Sequence, residues 1–97
     1  MGVLLKTEAQ IQKEILDYLK FLGAWTVKVV TANKSGVPDI LACLGGKFVA
    51  IEVKRPGEKA RPLQLAQIRR IRSAGGTSFE TDNVEEAKRI LNEYLKN

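Results

Sequence analysis

The sequence predicts an α/β domain: a mixed β-sheet flanked by helices, in the order helix, three strands, helix, strand, helix. Three observations carry that prediction. Apolar residues recur at helical spacing in three separate segments. Between the first two of these lie three short β-branched or continuously apolar runs, the last two joined by Gly45-Gly46. Finally, 97 residues, 44% of them hydrophobic, suit a single domain over residues 1–97 with a modest core.

The first helix opens at Thr7-Glu8-Ala9-Gln10, which has the form of a capping box, and is expected to run to about Leu22. Gly23 supplies its stop. Ile11, Ile15, Leu19 and Leu22 form the apolar stripe, and Glu8 falls on the same stripe at the first turn. Met1 to Lys6, too short for a secretory signal, reads as a strap or frayed arm. Ala24 to Thr31 is β-branched and aromatic, hence a strand. Trp25, Val27 and Val29 share one of its faces, and Trp25 is expected in the core. A polar loop, Ala32 to Gly36, then leads to Val37-Pro38-Asp39.

Ile40 to Leu44 and Phe48 to Val53 are the next two strands, and their unbroken apolar runs suit strands covered on both faces. Cys43 accordingly reads as a buried core thiol. After Lys54 comes a charged loop that cannot be helical through Pro56. Pro62 opens a second helix that should last to Ala74, with Gln64, Ile68 and Ile71 on one stripe. A glutamine on that stripe is unexpected for a core face. Gly75-Gly76 ends this helix and Thr77 to Glu80 forms a short strand. Asp82 or Asn83 caps the last helix, whose buried stripe is Ala87, Ile90, Leu91, Tyr94 and Leu95.

Composition removes several chemistries. The chain has no histidine and one cysteine, which excludes Ser-His-Asp hydrolysis, histidine acid–base catalysis and a zinc site. What remains must use carboxylates, lysine and a hard cation held through oxygen. No apolar run is long enough to cross a bilayer, and a cytoplasmic protein with no membrane partner and no small-molecule cofactor is the expectation. The net charge is +5, and its placement says more than its size. Lys54 to Arg72 holds seven basic residues and one acid, Glu58, while the rest of the chain is nearly neutral.

That basic segment begins where the apolar hairpin ends. Asp39 opens the first strand of the hairpin; Glu52 and Lys54 close the second and, two apart, point to one side. Pairing would bring Asp39 beside Glu52. Two carboxylates and an ammonium converging at a buried strand end are costly unless they serve a purpose. Beside a basic patch, the cluster reads as a phosphodiester track leading to a metal site.

G-V-P-D-I, followed after a strand and a turn by A-I-E-V-K, resembles the signature of the PD-(D/E)XK nuclease superfamily. More narrowly it is similar to the VRR-NUC domains, whose small stand-alone members occur in phages and prophages and whose fold resembles that of Holliday-junction resolvases. The resemblance spans nearly the whole chain. It implies a nuclease-like mixed β-sheet and a metal-dependent, structure-specific DNA endonuclease acting on four-way junctions or other branched DNA. The readings kept beside it are a non-catalytic DNA-binding module of the same fold, and a restriction-type or flap endonuclease.

The resemblance also implies roles. Asp39, Glu52 and the backbone carbonyl of Val53 would hold Mg²⁺ or Mn²⁺, and Lys54 would orient the water or neutralise the phosphate. A helix glutamate matches Glu8 best, acting directly or through a water, with Glu14 in reserve. A helix glutamine falls at Gln64, with Gln67 as the alternative. Lys34, Arg55, Lys59, Arg61, Arg69, Arg70 and Arg72 are the expected DNA contacts, alongside Asn33 and Ser35 as weaker phosphate candidates. A four-way junction offers two equivalent strands, so a two-fold homodimer is expected, with Trp25 and the outward residues of the first strand as interface candidates.

Overall fold

The computed structural model describes residues 5–96, so the arm expected over Met1 to Lys6 lies, up to Leu4, outside the described residues. Helix α1 spans Glu8–Phe21 and is followed by strands β1 (Trp25–Lys28), β2 (Ile40–Leu44) and β3 (Lys47–Val53). Helix α2 (Pro62–Ser73), strand β4 (Thr77–Thr81) and helix α3 (Val84–Leu95) complete the order the sequence predicts.

Local chemistry fixes the helix ends. Thr7 caps α1: its side chain accepts from the Gln10 amide, and the Gln10 side chain accepts from the Thr7 amide at 2.7 Å. Gly23, at φ +90°, turns the chain out of the helix. Of the two candidate caps for α3, Asn83 takes the role, accepting from the Glu86 amide at 2.7 Å.

The sheet order is β1-β2-β3-β4, with the first two pairs antiparallel and β3–β4 parallel. Alternation therefore divides the side chains between two unlike faces. Ile40, Ala42, Leu44, Val49, Ile51, Val53 and Phe79 share one face and form a single core with Ile11, Ile15 and Leu19 of α1 and Val84, Ala87 and Leu91 of α3. On the other face α2 packs over β3 and β4 only, through the buried Ile68. The result is three layers, the last of them half as wide as the sheet.

That half-width corrects two expectations. Trp25 is 67% exposed and Cys43 is exposed, not buried. They sit directly opposite each other across β1 and β2, on the part of the face that α2 does not reach, with the partly exposed Phe48 next in the row on β3. β3 and β4 are covered on both sides, as their almost continuous burial reflects. β1 is also shorter than the expected Ala24–Thr31 run. Its partner β2 begins at Ile40, opposite Lys28, and beyond that pair only the Val29 amide still reaches the Asp39 carbonyl.

Two substitutions separate the faces. Ile51 is fully buried in the central strand, so Ile51→Ala is expected to cost about 2–5 kcal/mol of unfolding free energy. Cys43→Ser is expected to change stability by no more than about 0.5 kcal/mol. Urea denaturation of both variants reads the difference; equal losses would return the thiol to the core.

Candidate metal and phosphodiester site

The expected cluster assembles at one end of the sheet, on the face that α2 covers. β2 and β3 pair from Ile40 opposite Ile51, so Asp39, one residue before β2, stands across from Glu52. Asp39 is locked there: its Oδ2 accepts from the Val53 amide at 2.8 Å. Glu52 is 2% exposed and Lys54 8%, an unusual depth for two charged side chains. Val53 lies between them at the strand end, its amide taken by Asp39. The Lys54 amide in turn donates to the Thr81 carbonyl at 2.9 Å, so β4 continues to pin the chain past the strand.

Gln64 connects these groups from the first turn of α2. Its Oε1 accepts from the Arg61 amide at 2.8 Å and, more loosely, from Lys54 Nζ at 3.4 Å. Its Nε2 donates to Glu52 Oε2 at 3.3 Å. The Arg61 amide can only donate, which fixes the orientation of the side-chain amide and turns Nε2 towards the carboxylate. This answers why a glutamine occupies the inward stripe of α2. Gln67, the alternative, is engaged elsewhere: its Nε2 donates to the Ser35 carbonyl at 3.1 Å.

The helix glutamates separate in the same way. Glu8, half-buried at the start of α1, is close enough to act on the charge of both Glu52 and Arg55. Glu14 is instead paired with Lys6 at 2.7 Å. Burial, and then the Asp39 carboxyl beside it, push Glu52 up to about 8; Lys54 opposes the shift and Glu8 adds to it. The group is thus a desolvated carboxyl beside a second carboxyl, an arrangement that a hard divalent cation would relieve. Among the described residues no three carboxylate or thiol side chains converge on one point. The side-chain donors for a cation are therefore the Asp39–Glu52 pair, all oxygen, with Glu8 beyond them. That set fits Mg²⁺ or Mn²⁺, which bind through few carboxylates and keep several waters.

The basic segment is partly committed to structure. Arg55 bonds to Glu58 through Nε at 2.9 Å and also through Nη2. Arg72 Nε donates to the Ser78 carbonyl at 2.7 Å. The loop between β3 and α2 is anchored by two acids: Gly57 donates to Asp82 Oδ2 at 2.9 Å, the acid that the sequence offered as a helix cap, and Ala60 donates to Glu80 Oε2 at 2.6 Å. The side chains of Lys59, Arg61, Arg69 and Arg70 remain exposed, as does Lys34 on the loop before Asp39. Glu80 stands in register with Glu52 on β4, a pairing that the fold alone reveals.

Glu52 gives a pH test of the site without substrate. In cation-free buffer the folded protein keeps the Glu52 proton up to about pH 8, whereas the unfolded chain releases it near the ordinary 4.5. The stability tied to that proton is fully present below the lower value and is lost as the pH rises through the upper one. Melting temperature in EDTA is expected to fall across this window, and Glu52→Gln to flatten the fall. A wild-type profile flat across the same window would contradict a desolvated Glu52.

No family model matches the sequence. Among curated proteins, the chain is 36% identical over 69 residues to a protein of Acyrthosiphon pisum secondary endosymbiont phage 1 named "Putative nuclease p44", covering 70% of this chain and 74% of the phage protein. Among solved structures, a VRR_NUC domain superposes with a TM-score of 0.79 at 28% identity, over 90% of this chain and 96% of that one. A second VRR_NUC domain protein gives a TM-score of 0.78 at 17% identity, over 96% and 91%, a likeness of fold. The Holliday junction resolvase Hjc of Archaeoglobus fulgidus gives 0.58 at 26% identity, over 74% of this chain and 64% of the resolvase. With a phage relative at this level of identity and a VRR-NUC fold along almost its full length, the chain belongs to the VRR-NUC domain family.

Proposed function

We propose that the protein is a divalent-cation-dependent DNA endonuclease that hydrolyses phosphodiester bonds in branched DNA. The observation that carries this reading is the meeting of Asp39, Glu52, Lys54 and Gln64 at one sheet end, with Glu8 at its edge. A structural role explains it poorly, because a buried carboxylate pair destabilises the fold unless something compensates it. The nuclease name of the phage relative and the VRR-NUC neighbours support the chemistry; the resolvase neighbour supports branched DNA as substrate.

In this reading Asp39 and Glu52 hold the cation, with the Val53 carbonyl as a further oxygen and Glu8 acting through a water. The bound cation supplies charge neutralisation at phosphorus and a more acidic water, worth several kcal/mol in the transition state. Lys54 presents its ammonium to a non-bridging phosphate oxygen, and its burial keeps that charge from being screened by solvent. Gln64 orients Lys54 and Glu52 together. The bonds of 3.3 and 3.4 Å are at the loose end of the range, as catalytic hydrogen bonds often are before substrate binds. Lys34, Arg61, Lys59, Arg69 and Arg70 track the DNA backbone, and Arg55 and Arg72 join them from their structural pairs.

Asp39→Asn and Glu52→Gln are each expected to lower single-turnover cleavage on the order of a thousandfold while binding survives. The substrates are four-way, flap, duplex and single-stranded DNA, each with Mg²⁺, Mn²⁺ or EDTA. Cation binding has its own readout: a hundredfold excess of Mn²⁺ over its dissociation constant should stabilise the wild type by about 2.7 kcal/mol and the variants much less. Rates within threefold of wild type for both variants would remove the pair from the mechanism.

Paired cuts across a junction call for two sites, and the row Trp25–Cys43–Phe48 offers a surface for a second copy. It lies on the same sheet face as Glu52, four residues or roughly 13 Å along β3 from Phe48. Two-fold pairing through this row would relate the two sites by the dimer axis, as the two equivalent strands of a junction require. A stable interface needs at least about 1,000 Å². Trp25→Glu is therefore expected to yield monomers in light scattering across a dilution series, and to convert linear product from a cruciform plasmid into nicked circles. A wild-type monomer that cuts junctions at full rate would end the dimer requirement.

A further inference from the structure

The loop that leads into Asp39 touches α2 at two points, and the same turn of α2 carries Gln64. The first point is Gly36, at φ +79°. A methyl group on its α-carbon would lie 2.5 Å from the Leu63 carbonyl oxygen, 2.7 Å from the Leu63 carbonyl carbon and 2.9 Å from the Gln64 nitrogen. All three are backbone atoms, so no side chain can swing aside to admit it. The second point is one residue earlier in the loop and one helical turn later in α2, where Gln67 Nε2 donates to the Ser35 carbonyl at 3.1 Å. Beyond Gly36 the loop is held by the fully buried Pro38, and Asp39 follows at once.

Stability alone is a weak reason for so close an approach. Asn33, Lys34 and Ser35 are exposed, and the contact at Gly36 is backbone against backbone, so little apolar surface is buried there. The contact does fix a spacing. On one side is Asp39, reached through two residues, Val37 and the buried Pro38. On the other is Gln64, whose bonds to Lys54 and Glu52 are already 3.4 and 3.3 Å and have no slack.

We infer that Gly36 and Gln67 form a clasp that positions Gln64, setting the first turn of α2 at the distance from the Asp39 loop where Gln64 reaches both Lys54 and Glu52. Both are positioning residues: neither touches the reacting atoms, and they act through Gln64. The inference rests on the nuclease reading above for its consequence, though not for its geometry. The clasp governs the chemical step and leaves DNA affinity to the basic side chains.

The experiment compares Gly36→Ala and Gln67→Met, alone and combined with Gln64→Ala. Methionine keeps the volume and helix preference of glutamine and removes the donor. Gly36→Ala is expected to slow single-turnover cleavage on the order of a hundredfold, the usual cost of an ångström's misplacement. Gln67→Met, losing one hydrogen bond, should slow it about five- to tenfold. Dissociation constants for the same DNA in EDTA should stay within about threefold. In the Gln64→Ala background both clasp variants should have almost no further effect, because the residue they act through is gone. Full additivity in that background, or a wild-type rate for Gln67→Met, overturns the inference.

Gly36→Ala is the variant most at risk of misfolding, and Gln67→Met carries the test without it. A second readout needs no cleavage. The side-chain amide resonance of Gln64, identified by its loss in Gln64→Ala, should shift in Gln67→Met. If it stays in place the clasp is overturned. If the wild type cuts no DNA with any cation, the nuclease reading fails, and the amide resonance still decides the clasp.

Discussion

The structure depends on one constraint: two carboxylates must stand side by side at the end of a strand that is buried on both faces. Asp39 meets part of this by accepting the Val53 amide, which makes a sheet-like contact from a side chain just beyond the last pair of the ladder. Glu52 has no such outlet. Its neighbours are a carboxyl that raises its proton affinity and a lysine that lowers it, and burial decides the balance towards protonation. Such a pair is retained at a cost in folding free energy, which natural proteins accept most readily at sites of chemistry. The surrounding polar contacts, from Gln64 to the Arg61 amide and Lys54, follow from having that pair to accommodate.

The acids of the chain do two different jobs. Glu80 and Asp82 hold the basic loop between β3 and α2 by its backbone amides, at Ala60 and Gly57. A backbone anchor leaves the side chains of Lys59 and Arg61 free to point outward, whereas ion pairs would have used their charge. Asp82 is held below the usual carboxylate range, first by the Gly57 amide and then by Asn83, so this anchor stays ionised at neutral pH. Arg55 and Arg72 are the exceptions, one drawn into a pair with Glu58 and one onto the Ser78 carbonyl. The concentration of positive charge in this segment thus overstates the number of cations free to meet a phosphate.

Much of this was legible in the sequence because it is local. The Thr7–Gln10 box, the glycine stop at Gly23 and the Pro62 start depend on a few adjacent residues, and the structure places them where the spacing does. The Asp39–Glu52–Lys54 grouping was legible because alternation and one hairpin suffice to bring it together. Trp25 and Cys43 were not. Their burial depends on how far α2 extends across the sheet, and an apolar strand reads alike whether its second face is covered or open. The end of β1 was hidden for a related reason, since a strand stops where its partner does and not where β-branched residues run out. Gln64 and Gln67 could not be separated by helical position alone; what separates them is the Asp39 loop, which reaches one and leaves the other facing the strand end.

The site draws its residues from four places: the start of α1, the loop before β2, the end of β3 and the first turn of α2. The β2–β3 hairpin brings Asp39 to Glu52, and the first turn of α2 joins them because the crossover into the parallel β3–β4 pair lays α2 on the face where Glu52 points. The apolar core lies on the opposite face, between the sheet and the α1–α3 layer. β3 belongs to both: Val49, Ile51 and Val53 point into the core, while Glu52 and Lys54 point to the site. Alternation along a single strand thus separates the surface that holds the domain together from the surface that would do its chemistry. That arrangement lets so small a fold keep costly charges buried, because Glu52 and Lys54 lie outside the layer that supplies its stability.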